Sequence, residues 1–402
     1  MDNKIESFDI CIVGASLAGN YLAYLLSETN LKIAIIEEHK EIGLPFQCAG
    51  IVSQKITNLI HLPENLILNR VKVAKIISPS GKYLKLSGDE NPYIIDRIAL
   101  DRYFYSKVKD KKKIHYYLGE KFKNFKYFKI DHHKRLLVQT SQRKLKVKLL
   151  IGCDGPLSMI GKSLNERNKI LHARQIRIKG SFSQNEAVLY FNKRWKELFG
   201  WIVPEGNNIY RIGLASSQNI GNKFKAFLRR LNISIIDKID QQGGIIPYGY
   251  MNKVAFNNIL LLGDSAGQVK ATTGGGIIML LTAAHYASFC IRKCFNKDNF
   301  SKRVIKKYYE KPCLLKIGNE IKIHYIIRMF LAKLSEVDFE RFMQIGKMNK
   351  VQHIISFYGD MDFPKSLVVK LLINPFILKF LLLFLIKNPF FLIRVLIILI
   401  FI

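Results

Sequence analysis

The chain has 402 residues, 49% hydrophobic and 23% charged, the balance of a globular protein with one large core or two smaller ones. Lys and Arg number 63 against 31 Asp and Glu, a formal net charge of +32 that calls for an anionic partner. Part of that charge reflects a Lys-, Ile- and Asn-rich composition of the kind AT-rich coding favours. No zinc-finger spacing or RNP signature accompanies it, so the expectation is no nucleic acid, and the six scattered cysteines, with no CxxC pair, do not suggest a disulfide framework, a zinc site or an iron–sulfur cluster.

Met1–Ser7 is mostly polar and acidic, without a secretory pattern, which sets the expectation of a reducing compartment. Phe8–Val13 then forms a nearly unbroken apolar run, as a parallel strand covered on both faces requires. It leads into Gly14-Ala15-Ser16-Leu17-Ala18-Gly19, a stretch of helical apolar spacing over Asn20–Leu26, and a second strand, Leu31–Ile36, ending in Glu37-Glu38. Gly14 permits the tight turn, Gly19 allows helix and strand to approach, and the helix N-terminus offers N–H groups to a pyrophosphate. Glu37 lies 23 residues after Gly14, where a carboxylate accepts from ribose hydroxyls. Ser16 replaces the middle glycine of the usual motif and weakens it.

Two further strand ends follow in order. Leu149–Gly155 runs into Asp154-Gly155, and Asn257–Gly267 into Gly263-Asp264, with Thr272, Thr273, Gly274, Gly275, Gly276 and Ile277 opening a helix. An aspartate there can bind a ribityl hydroxyl, and the helix start can stabilise negative charge on a reduced flavin. A helix cap for Asp264 and plain turns for the glycines are the alternatives.

Together these residues make the chain resemble the geranylgeranyl reductase family of FAD-dependent oxidoreductases, from about residue 8 to about residue 290. The resemblance also rests on Gly43–Gly50 (GLPFQCAG) and on Arg97 with Asp101. It implies FAD as cofactor, with Gly14, Ala15, Ser16, Gly19, Glu37, Glu38, Cys48, Ala49, Arg97, Asp154, Gly155, Asp264, Gly275, Gly276 and Ile277 around it. Arg97 would lie near the pyrophosphate, and Cys48 would face the flavin as proton donor or tuner; a surface charge and a small buried residue are the respective alternatives. Phe199, Trp201 and Pro204, followed by Gly213, resemble the family's Y-x-W-x-F-P…G-x-G signature, with Phe199, Val203 and Ala215 as departures. The resemblance places Trp201 at the catalytic centre and Phe199, Trp201 and Pro204 along the substrate; a half-buried core strand is the alternative reading.

The expected fold class is α/β: a Rossmann-type three-layer FAD-binding domain (1–60, 93–165 and 253–295), interleaved with an antiparallel-sheet substrate domain (61–92 and 166–252). A helical C-terminal region (296–402) follows. From Phe363 to Ile402 there is no acidic residue, and Leu, Ile and Phe are broken by Lys365, Lys370, Lys379, Lys387 and Arg394. Charges recur too often for a plain span, so short interfacial helices on an anionic membrane surface are expected over 363–402, at the cytoplasmic face of the membrane. A re-entrant hairpin and a core-completing helical layer are the alternatives. The implied reaction is reduction of C=C bonds in geranylgeranyl chains of an isoprenoid lipid. No second dinucleotide motif is visible, so an external electron donor, ferredoxin-like or nicotinamide, is expected. A flavin monooxygenase or halogenase of an aromatic compound, and a non-catalytic prenyl carrier, are the competing functions.

Overall fold

The computed structural model describes residues 5–88, 90–130, 133–234, 236 and 238–399. Strand β1 (Ile5–Val13), helix α1 (Leu17–Leu26) and strand β2 (Ile33–Glu37) open the chain. The main sheet is built on five parallel strands in the spatial order Ile114–Leu118, β2, β1, Lys144–Gly152, Ile259–Leu261. Read along the chain this is 3-2-1-4-5, the doubly wound order. Its strands are nearly continuous in Ile, Leu and Val because they are buried: α1 and Ile277–Asn296 pack together in the helical layer, and Ile10, Ile12, Ile35, Leu149 and Leu260 are fully buried. A hairpin, Phe122–Ile130 with His133–Thr140, adds antiparallel pairing to the start of Lys144–Gly152.

The second sheet has seven strands and is antiparallel except where Glu186–Tyr190 pairs with Val73–Ile77. Its centre is Lys169–Lys179, Ile209–Ser216 and Gly200–Gly206, with Lys238–Tyr248 on one flank. A small three-stranded sheet (Ile51–Val52, Tyr93–Ile95, Ile67–Arg70) lies between the two in the chain's path. Helix α2 (Arg97–Val108), capped by the Asp96 carboxylate at Ala99 N, returns the chain to the first sheet.

Beyond residue 300 the chain is helical, with two stretches of π-helix, Lys306–Glu310 and Leu314–Gly318. The last helices are Lys365–Leu372, Pro375–Lys387 and Pro389–Leu399. Asn374 caps the second, accepting from Phe376 N and Ile377 N, with Pro375 at its first turn. The first two meet at 89°. Phe330, Phe342, Phe380, Phe384 and Phe391 form an aromatic knot that fastens this tail to the preceding helices.

Candidate functional site

A cavity of about 810 Å³ opens at the carboxyl ends of β1 and Lys144–Gly152, where the strand order reverses. Gly14, Ala15, Ser16, Glu37, Glu38, Cys48, Arg97, Asp154, Gly155 and Asp264 all border it. Gly14 has φ +101°, and a Cβ there would stand 2.2 Å from Cys153 O. A Cβ at Gly19 would meet Gly14 O at 1.9 Å, so the turn and the start of α1 close only over bare backbone. Ser16 precedes α1 and makes no side-chain cap hydrogen bond, leaving the helix terminus open to a ligand anion.

Glu37, at the end of β2, accepts from Ala15 N at 2.7 Å and from His39 N at 2.9 Å. Glu38 pairs with Lys121 at 3.1 Å. Arg97 is ion-paired with Asp101 one turn along α2; burial raises the Asp101 carboxyl, against the pull of Arg97. Asp154 accepts from Ser158 Oγ at 2.6 Å and Ile160 N at 3.1 Å, so it orders the short helix that follows as well as walling the cavity; burial raises its carboxyl too. Gly155 has φ +76° and open space where a Cβ would begin. At the far end, burial pushes the Asp264 carboxyl up to about 6, with the Arg97 charge pulling it down.

Gly275, Gly276 and Ile277 do not border this cavity. They lie behind Asp264, a Cβ at Gly276 standing 3.6 Å from Asp264 Oδ1, and their helix reaches the cavity through Leu280. The residues present fit a flavin dinucleotide: a bare-backbone turn at a helix terminus, an acid after β2, and a buried acid at the far end. The volume lies within the roughly 300–1,000 Å³ of cofactor sites.

Across the second sheet, Gln242 faces Gln175, Gln175 faces Gly213, and Gly213 faces Trp201 in one cross-strand row. A Cβ at Gly213 would lie 2.2 Å from the Trp201 indole, so the ring crosses the glycine and donates from Nε1 to Gln175 Oε1 at 2.7 Å. Gln175 Nε2 in turn donates to Gln242 Oε1 at 2.6 Å and to Cys48 O at 3.3 Å. Trp201 thus reaches the Cys48 loop through Gln175, while the Cys48 thiol borders the cavity and accepts from Gly50 N. Phe199 and Trp201 pack with Ala49, Ile51, Val203 and Ile246 in an apolar cluster. Phe199, Trp201 and Pro204 do not border the cavity. Pro204 is buried in its strand, its carbonyl accepting from Asn69 Nδ2.

The sequence reading did not single out a neighbouring cavity of about 860 Å³, which shares Glu38, Phe46 and Gly243 with the first. Its wall carries Arg177, Glu205 and Arg211. Glu205 accepts from both guanidinium groups at 2.6–2.9 Å. Burial opposes its ionisation, but the hydrogen bonds and charge of Arg177 and Arg211 outweigh it and hold the carboxyl below its usual range. Arg211 Nη1 also donates to Ala49 O at 2.9 Å, bracing the Cys48 loop from below. Gln175 and this triad carry no local motif; only the strand register brings them to the loop.

Comparison with known proteins agrees with this geometry. A family described as an NAD(P)-binding Rossmann-like domain matches residues 12–52. An uncharacterized protein of Methanocaldococcus jannaschii is 27% identical, covering 91% of this chain and 95% of its own. Digeranylgeranylglycerophospholipid reductase 1 of Methanococcoides burtonii is also 27% identical, over 83% and 86%. Among solved structures, a geranylgeranyl bacteriochlorophyll reductase-like protein from Thermoplasma acidophilum has TM-score 0.80 at 20% identity, covering 94% and 98%. The p-nitrophenol 4-monooxygenase of Pseudomonas putida has TM-score 0.68 at 12%, covering 90% and 99%. The chain is therefore similar to geranylgeranyl reductases over most of its length, has the fold of these flavoproteins, and is a flavin-dependent oxidoreductase.

Proposed function

We propose that the chain binds FAD and reduces isolated C=C bonds in the geranylgeranyl chains of isoprenoid membrane lipids. The observation that carries this reading is the joining of the two halves at Cys48: the loop walling the dinucleotide cavity is hydrogen-bonded to the sheet that carries Trp201. The name of the Methanococcoides burtonii relative supports the lipid class. Glu37 would hold the adenosine ribose, the start of α1 and Arg97 the pyrophosphate, and Asp264 a ribityl hydroxyl. Bound flavin supplies hydride to one alkene carbon. Cys48 faces the cavity and is the candidate proton donor to the other. The apolar cluster of Phe199, Trp201 and Val203 excludes water behind the loop. Electrons come from an external donor, a ferredoxin-like protein or a nicotinamide.

The tail supports a site at the cytoplasmic face of a membrane. Fourteen of the twenty-eight exposed large apolar side chains among the described residues lie between Val369 and Leu399, with Ile373, Ile386 and Phe390 at 70–78% exposure. Lys379, Lys387 and Arg394 are exposed among them, an apolar surface with basic charges suited to anionic lipid. The test is a visible spectrum of the detergent-extracted protein, reduced with dithionite and then given geranylgeranyl lipid without oxygen. Flavin bands that bleach and return with the lipid, together with a lipid mass gain of two hydrogens per bond, are expected. Bands that return only on admitting oxygen would move the assignment to a monooxygenase, and absence of flavin after reconstitution would leave a prenyl carrier.

A further inference from the structure

The glycine loop that opens helix Ile277–Asn296 is held from behind by a buried ion pair no motif points to. Lys270 and Asp362 are 4% and 1% exposed at their side chains and meet at 2.5 Å, and Lys270 Nζ also donates to Met361 O at 3.1 Å. Lys270 stands against the loop itself: a Cβ at Gly275 would lie 3.1 Å from its Cε and 3.4 Å from its Nζ. Its backbone closes the same turn, Lys270 N donating to Gly275 O and Gly274 N to Lys270 O. On the other face of the loop, Gly276 abuts Asp264.

A second tie runs through His324. Its Nδ1 lies 2.6 Å from Thr272 Oγ1 and its Nε2 3.1 Å from Asp362 O, so the ring donates to the carbonyl and the threonine hydroxyl donates to the ring. Asp362 sits in a turn whose N–H, with that of Phe363, is held by Asp360 Oδ1, and Pro364 then starts the tail helices. Asp362 Oδ2 is buried and has no hydrogen-bond partner among the described residues, while its Oδ1 is held by Lys270.

We propose that Lys270 is a positioning residue for the flavin. With its counter-ion Asp362 it fixes the Lys270–Gly276 loop against Asp264, and so makes the segment preceding the tail helices part of the flavin site. The role rests on the FAD reading above, but the brace itself is a property of the apoprotein. The double substitution Lys270→Met/Asp362→Leu removes both charges without leaving either buried alone. In full-length apoprotein, amide hydrogen exchange over residues 268–280 is expected to quicken about tenfold while residues 10–30 stay unchanged. In the FAD-loaded form, affinity is expected to fall about tenfold and the flavin's visible circular dichroism to change, with Lys270→Arg restoring part of both. Should the double variant fail to fold, the isosteric Asp362→Asn, which keeps an acceptor for Lys270 Nζ but removes its counter-charge, should show the same changes. Unchanged exchange over 268–280 in a folded variant would overturn the brace. A wild-type protein that binds no FAD would instead overturn the cofactor reading, with the exchange result still deciding the brace.

Discussion

Asp264 is placed for a ligand at a cost to the empty protein. Its carboxyl titrates at about 6 in the fold against an ordinary 3.8, because burial disfavours the charge more than Arg97 relieves it. Below pH ~4 the group is protonated in folded and unfolded chains alike and costs nothing. As pH rises past the ordinary value and through 6, the unfolded chain ionises first, so stability is lost across that window. At 1.36 kcal/mol per pH unit the loss is on the order of 3 kcal/mol. Asp264→Asn should therefore leave the apoprotein as stable as wild type at pH 4 and more stable by that amount at pH 8, read from urea midpoints. The same change removes a charged acceptor, so FAD should bind about tenfold more weakly or worse. A stability difference independent of pH between 4 and 8 would refute the assignment of the raised titration to Asp264.

Gly213→Ala would drive a methyl into the Trp201 indole, 2.2 Å away across the row. Overpacking of this kind costs about 1–3 kcal/mol, so a lowered melting temperature is expected, with loss of the protected indole N–H signal that the Gln175 bond gives. In the tail, replacing Lys379, Lys387 and Arg394 with Glu should abolish flotation with anionic vesicles, at ~1 kcal/mol for each basic charge lost near the surface, while leaving flavin binding intact. Equal flotation of the variant would rule out these basic charges as the contact.

The residues visible in the sequence were those whose role is local. Gly14, Ser16 and Glu37 belong to one strand–turn–helix–strand unit, so spacing alone places them on one cavity edge, and Asn374-Pro375 announces a helix start by its own capping chemistry. Gln175, Gly213 and Trp201 meet only through register between strands up to 38 residues apart, and no periodicity encodes which residue faces which. Phe199 and Pro204, expected along the substrate, are buried in the packing of the second sheet and do not border the two cavities described above. Lys270 and Asp362 stand 92 residues apart, and a lysine beside a glycine run reads as an ordinary surface charge until the fold buries it.

The Cys48 loop is held on two sides by the second sheet, through Gln175 at Cys48 O and through Arg211 at Ala49 O, with Arg211 also reaching Ile95 O in the small sheet. Swinging the two sheets apart would break all of these at once, so hinge opening is a poor route for anything to enter or leave. Ligand traffic then passes through the mouths of the two neighbouring cavities while the frame stays still. A long chain with many rotatable bonds can thread such an entrance end first. In this architecture the bending needed to reach the site is supplied by the guest, and the host keeps its geometry.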